Sequence, residues 1–155
     1  MQNDYAAQLI AALKKPNPVL FYEDAFKDIP YSKVNIRPAG LPYSLWEQCF
    51  HLRTAQHNML LDCKEPGHKS LKWPDEFWPQ EKNPSEKEWN QCLADIKNDR
   101  EEMISLIEKS KDKLLEPLSG NAEKTIFSRA LAMARHNSYH TGEVLVLRRL
   151  LGLWK

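Results

Sequence analysis

The chain has 155 residues, a length that suits one core, and we predict a single domain over residues 1–155. Hydrophobic residues make up 42%, charged residues 28%, and the formal net charge is +1, so nucleic acid is not an expected partner. No apolar run approaches the roughly 20 residues of a membrane span, and the first residues lack the pattern of a signal peptide, so we expect a cytoplasmic location and no membrane partner.

Three cysteines, Cys49, Cys63 and Cys92, are widely spaced and odd in number, without a Cys-x-x-Cys pair. This usage predicts reduced, buried thiols instead of a disulfide framework.

Apolar spacing predicts helices and shows no strand-like alternation. The first helix covers residues 4–15 and ends at Pro16, and a short helix is expected within residues 17–28. Residues 29–42 contain three prolines and a glycine, so we predict an ordered but irregular connection there.

Two capping boxes mark the starts of later helices. Ser44 followed by Glu47, and Ser85 followed by Glu88, match the pattern in which each side chain bonds the other residue's backbone N–H. A last helix should stop at Gly152. The three helices are predicted to cover about residues 44–63, 85–110 and 125–151. Four long helices with two long connections indicate an all-α four-helix bundle with long crossover connections.

The connection over residues 64–84 is rich in proline and carries Trp73, Phe77 and Trp78 near its centre. A loop of this length is often functional or packed as a lid. The aromatic residues could roof a pocket, although we favour the simpler interpretation that they cover one end of the bundle.

Two histidines, His136 and His140, lie four residues apart in the predicted last helix. Residues at this spacing share a face, about 6 Å apart between Cβ atoms, so both imidazoles can reach one ion. On a helical wheel Glu143 falls about 20° from His136, within the stripe that faces the core. Buried polar groups need partners. We favour a metal site over the alternative, hydrogen bonds to facing helices.

A third ligand should come from another helix. On the second long helix, His51 lies in a strip more polar than a plain bundle core, which predicts the wall of a wet pocket. His57 falls about 120° away on the wheel, and His68 lies in a Pro-Gly loop where exposure is expected. We therefore predict His51, His136 and His140 as ligands of Zn²⁺, Ni²⁺ or another divalent ion with an open position. A solvated helix face is the competing explanation of the strip. Its other members are Ser44, Glu47, Gln48, Ala55, Asn58 and Asp62.

Three segments together resemble the DinB-like (DinB/YfiT) superfamily. They are residues 136–154, which begin His-Asn-Ser-Tyr-His-Thr-Gly-Glu, residues 37–56, which begin Arg-Pro-Ala-Gly-Leu-Pro-Tyr-Ser-Leu-Trp, and residues 73–79, Trp-Pro-Asp-Glu-Phe-Trp-Pro. The resemblance implies a four-helix bundle with an unusual connection order, a divalent metal on His51, His136 and His140, and a homodimer. Relatives include thiol S-transferases and a maleylpyruvate isomerase, which implies a low-molecular-weight thiol and a small-molecule substrate.

The sequence departs from that family in two places. Phe50 stands where a carboxylate often precedes the second-helix histidine, and Glu143 stands where glutamine is usual. Glu143 could orient a ligand imidazole, act as a general acid or base, or become a fourth ligand that closes the site.

Two functional hypotheses follow. In the first, the chain is a metal-dependent enzyme, resembling a thiol S-transferase or a hydrolase, that activates a thiol or water for attack on a small electrophile. In the second, it is a non-catalytic bundle that binds a metal or small ligand and acts in a stress response or as an interaction module. An open metal position beside an accessible pocket favours the first hypothesis, and a closed four-ligand site favours the second.

Overall fold

The computed structural model describes residues 4–15, 20 and 22–155, and five α-helices lie within them. Four are long, so the predicted all-α bundle is confirmed. The helix expected within residues 17–28 is present as the short helix α2, and residues 17–19 and 21 lie outside the described part. The helices are α1 (Tyr5–Lys14), α2 (Tyr22–Phe26), α3 (Leu45–Lys64), α4 (Glu86–Lys109) and α5 (Ile126–Leu150). None of these described helices combines the length and the apolar character that crossing a membrane requires.

The long helices begin where their caps predict. Ser44 caps α3 and Ser85 caps α4, each in a complete capping box. Thr125 caps α5 in the same way, although its partner at the third position is Ser128 and not a glutamate. At the other end of α5, Gly152 has φ +71°, a conformation that favours glycine, and so ends the helix as predicted.

A small β-hairpin, which the apolar spacing did not reveal, joins α4 to α5. Its antiparallel strands are β1 (Pro117–Leu118) and β2 (Asn121–Thr125). The strands are too short to display an alternating pattern, so periodicity could not reveal them. Gly120 turns between them with φ +83°, and a Cβ at this position would come within 2.8 Å of the Gly67 backbone nitrogen.

The long helices form a ring in which α3 packs on α4 and α5, and α1 packs on the other side of the same two helices. Two apolar clusters fill the ring, one around Leu52, Trp89 and Leu147 and the other around Leu13, Leu60 and Met103. Polar side chains lie between these clusters along α3 and α5. The candidate site therefore lies in a polar layer with apolar packing on both sides.

One group of hydrogen bonds in that layer holds the helices together. The Gln56 amide donates to the Ile96 carbonyl of α4 over 2.6 Å and accepts from the Asn137 amide of α5 over 2.8 Å. These buried bonds join three helices. All three cysteines are free; Cys49 and Cys92 are buried as predicted, whereas Cys63 is only half-buried.

The connection between α3 and α4 is fastened to the bundle at both ends. Near its start, Asn58 of α3 accepts from the Leu71 backbone over 3.2 Å. Near its end, Trp46 donates to the Glu81 carbonyl over 2.8 Å, and Tyr31 donates to the Pro84 carbonyl over 2.7 Å. These bonds hold the central aromatic segment, residues 73–78, against α3.

Candidate metal centre

Three histidines from two helices meet in the polar layer. His51 of α3 faces His136 and His140 of α5, and one ring nitrogen of each lies within 4.8 Å of the others. The Nε2 atoms of His51 and His136 are 3.2 Å apart. No cysteine or carboxylate of the described residues belongs to this group. The structure thus brings together the three residues that the sequence predicted as ligands.

Hydrogen bonds at the Nδ1 atoms of His51 and His140 determine which ring nitrogen carries the proton. The Nδ1 atom of His140 is 2.7 Å from Gln48 Oε1, and the Nδ1 atom of His51 is 3.3 Å from the Phe77 carbonyl oxygen. Both oxygens only accept, so each Nδ1 carries the proton and each neutral ring presents a bare lone pair at Nε2. These are the contacts by which proteins orient metal-binding imidazoles.

Burial keeps the three imidazoles neutral. It lowers the pKa of His51. It also lowers the pKa of His136 to about 4, with His51 contributing, and that of His140 to about 3, with His136 and His51 contributing. Neutral imidazole is the form that binds a metal ion.

The donor set fits a divalent ion. The Nε2 atom of His51 carries a bare lone pair, so the contact of 3.2 Å with His136 Nε2 needs either a proton on His136 or a cation between the two rings. The Nδ1 atom of His136 is buried without a hydrogen-bond partner, so no contact there holds the proton away from Nε2. Three neutral imidazoles without a thiolate suit Zn²⁺ or a neighbouring first-row ion.

The aromatic segment, residues 73–78, lies against the site instead of merely covering one end of the bundle. Trp78 stacks on the His51 ring, with centroids 4.3 Å apart and an angle of 11° between the planes. Trp73 meets the same ring edge-on at 5.9 Å. With the Phe77 carbonyl on its Nδ1, His51 is oriented by three residues of one loop.

A cavity of about 550 Å³ opens beside the three histidines. Trp73 and Tyr139 lie at its edge with 69% and 65% of their surfaces exposed, so the cavity communicates with solvent. The remaining lining residues are Pro42, Tyr43, Gln48 and Trp78. A small molecule can therefore approach the imidazoles from this side.

Glu143 lies outside the three-histidine group. Its carboxylate accepts a hydrogen bond from the hydroxyl of Tyr43, a residue that lines the cavity. This bond, together with burial, raises the pKa of Tyr43 to about 12, so the hydroxyl keeps its proton. The hydrogen bond of Glu143 goes to Tyr43 and not to a histidine ring, so this arrangement favours neither the fourth-ligand role nor the orientation of an imidazole.

Only Gln48 and His51 of the predicted polar strip reach the cavity. Both carboxylates of the strip bind elsewhere: the buried Asp62 carboxylate accepts from Lys124 over 2.7 Å, and Glu47 accepts from Arg37 over 2.8 Å. Burial alone would raise the pKa of Glu47, but hydrogen bonds from Arg37, from Lys82 and from the Ser44 backbone lower it to about 2. Most of the strip is therefore neither a pocket wall nor a solvated face.

The other two histidines considered as ligands lie away from the site. The Nδ1 atom of His57 is 3.1 Å from both carboxylate oxygens of Asp99 on α4. His68 is half-buried, not exposed as predicted, because its Nε2 atom lies 3.0 Å from the Asn58 side-chain oxygen.

Two groups that contribute to the site were not predicted from the sequence. Tyr43 and the Phe77 carbonyl enter the site from connections whose positions have no periodic signal in the sequence. The proline-rich aromatic segment was the one sign that this loop had a specific place.

The fold and the histidine cluster define a helical bundle with a candidate metal centre beside an open cavity. The sequence profile of the DinB superfamily matches residues 22–144, and the chain belongs to that superfamily. A comparison with curated proteins finds no match.

Proposed function

We propose that the protein is a metal-dependent enzyme in which His51, His136 and His140 hold one divalent ion, Zn²⁺ or Ni²⁺, with an open position. The observation that carries this proposal is the convergence of the three neutral imidazoles on one point beside a cavity. An ion bound there lowers the pKa of a thiol or water in its open position and so supplies a nucleophile at neutral pH.

Other residues orient the imidazoles, shield the site from water and form the cavity for the substrate. Gln48 and the Phe77 carbonyl hold two imidazoles in the tautomer that binds a metal. Trp73 and Trp78 cover His51 and keep water from one side of the site. The cavity between Tyr43 and Tyr139 receives the small substrate.

The proposed reaction is transfer of a thiol sulfur, or of water oxygen, to a small electrophile. The nucleophile gives its proton to solvent, its sulfur or oxygen bonds to the electrophilic carbon, and the leaving group departs with the bonding electron pair. The family resemblance also implies a low-molecular-weight thiol and a homodimer, and these stay predictions, as does the cytoplasmic location.

A comparison of metal-loaded and metal-stripped protein tests this function. Each form is incubated with a panel of small thiols and electrophiles, and thiol consumption is followed. We expect turnover only with metal, with loss in His51→Ala and retention in His57→Ala, which removes a histidine outside the cluster. Metal-loaded protein that binds these ligands but turns over none would identify the alternative, a non-catalytic binding bundle.

A further inference from the structure

A second polar pair stands at the same cavity. The hydroxyl of Tyr43, just ahead of α3, donates to the carboxylate of Glu143 on α5, although the two residues are 100 positions apart. Tyr43 lines the cavity together with the three histidines. Both residues of the pair are half-buried, and of the two only Tyr43 lines the cavity.

This pair offers only hydrogen-bond acceptors to a ligand. A phenol has a single proton, and that of Tyr43 is directed to Glu143, so its oxygen presents lone pairs to the cavity. Donation to a carboxylate makes the phenol oxygen a stronger acceptor for a further bond. The carboxylate also adds a negative charge. An anionic group is therefore repelled here, and a positively charged donor is attracted.

The other lining residues agree with this polarity. None of the residues that line the cavity in the described part of the chain is a lysine or an arginine. Arg37 and Lys82 both bind Glu47 in the first turn of α3, at 2.8 Å and 3.0 Å, so these cations are engaged by a carboxylate outside the cavity. At the opening, the exposed rings of Trp73 and Tyr139 offer faces of the kind that attract cations.

We propose that Tyr43 and Glu143 form a subsite for a primary ammonium group, so that the ligand of this cavity is a small amine that also carries a metal-binding group. The inference rests on the proposed function, because the metal centre holds the other end of the ligand. Tyr43 touches the ammonium group. Glu143 acts through Tyr43 and is a positioning residue that sets the polarity of the subsite.

Matched pairs of small probes test the subsite by affinity. Cysteamine and 2-mercaptoethanol are thiols with and without an ammonium group, and glycine hydroxamate and acetohydroxamate differ in the same way without a thiol. Their dissociation constants are measured by calorimetry on Zn²⁺-loaded wild-type protein, Glu143→Gln and Tyr43→Phe. Glutamine preserves the shape of Glu143 and removes its charge. The probes of a pair also differ in the pKa of the metal-binding group. This difference is the same for all three proteins, so it cancels when the preference of a variant is compared with that of the wild type.

We expect each ammonium probe to bind the wild type at least about tenfold more tightly than its neutral partner. The preference should disappear in Tyr43→Phe, which removes the contact with the ammonium group, and weaken in Glu143→Gln, which keeps an acceptor for the Tyr43 hydroxyl but removes the charge. A preference that is absent in the wild type, or unchanged in Glu143→Gln, would overturn the subsite.

The two probe families separate this inference from the proposed function. If the hydroxamates show the preference and no thiol binds, the use of a thiol is wrong and the ammonium subsite stands. If thiols bind without regard to their amino group, the subsite is wrong and the metal-centred function stands. If none of the four probes binds, both proposals are wrong.

Discussion

Two histidines of one helix, His51 and His57, meet opposite environments. His51 is buried, 3% exposed, and faces two further imidazoles with no carboxylate in the group. His57 has a side chain 40% exposed, and both oxygens of Asp99 lie 3.1 Å from its ring. The same side chain is a candidate metal ligand in one place and the hydrogen-bond partner of a carboxylate in the other.

The difference arises from the facing helix. α5 supplies His136 and His140 to His51, whereas α4 supplies Asp99 to His57. A substitution in the three-histidine cluster should therefore change metal binding or stability, whereas a substitution at His57 or Asp99 should change neither strongly. Four predictions test this contrast, from the largest expected effect to the smallest.

The largest difference should appear in metal content. His140→Ala leaves two imidazoles, which rarely hold a metal alone, so most of the bound metal should be lost. His57→Ala removes a histidine of the same helix as His51 and should keep full occupancy. Elemental analysis of the purified proteins measures both, and full occupancy in His140→Ala would refute the assignment of this ligand.

The stability of the metal-free protein should depend on pH through the buried cluster. The folded-state pKa of His136, about 4, lies below the ordinary value of 6.5. Between these values the unfolded chain binds a proton that the folded chain does not, so the free energy of unfolding falls as the pH drops from about 6.5 towards 4. One pKa unit corresponds to about 1.4 kcal/mol, so His136 accounts for at most about 3 kcal/mol.

Urea denaturation at about pH 7.5 and about pH 5 measures that loss of stability. His136→Gln, which stays neutral, should lose less on acidification than the wild type. His68→Gln, at a site outside the cluster, should lose as much as the wild type. Equal losses in His136→Gln and the wild type would show that this histidine is not held neutral by burial.

A smaller effect is expected from the group that orients His140. Gln48→Leu removes the acceptor at the Nδ1 atom and should weaken metal binding about 10- to 100-fold. Gln48→Glu retains an acceptor at the same length and should bind metal at least as well as the wild type. Competition with a chromophoric chelator gives both affinities, and unchanged affinity in Gln48→Leu would exclude a role in orientation.

The smallest effect should come from the partner of His57. Burial raises the pKa of Asp99, with His57 acting in the opposite direction, so the carboxylate contributes little net stability. Asp99→Asn should change the free energy of unfolding by about 1 kcal/mol or less and leave metal content unchanged. A loss of metal in this variant would mean that the two histidine environments are coupled, against the contrast drawn between them.

Several features of the site are visible in the sequence because they depend on near neighbours. The four-residue spacing of His136 and His140 puts them on one face of any α-helix. The capping boxes at Ser44 and Ser85 depend on residues three positions apart, and both form as predicted. The wheel also separates His51 from His57 without knowledge of the facing helices.

The contacts that orient the candidate ligands, and those of the residues beside the cavity, depend on the tertiary structure. The Phe77 carbonyl reaches His51 across 26 positions, Gln48 reaches His140 across 92, and Tyr43 reaches Glu143 across 100. Such pairs depend on how the helices pack and on where a proline-rich loop is fastened, and neither leaves a periodic pattern in the chain. The sequence by itself thus determined the helices and the candidate ligands, because helical geometry is local. Only the packing of α3, α5 and the aromatic segment decided which groups surround those ligands.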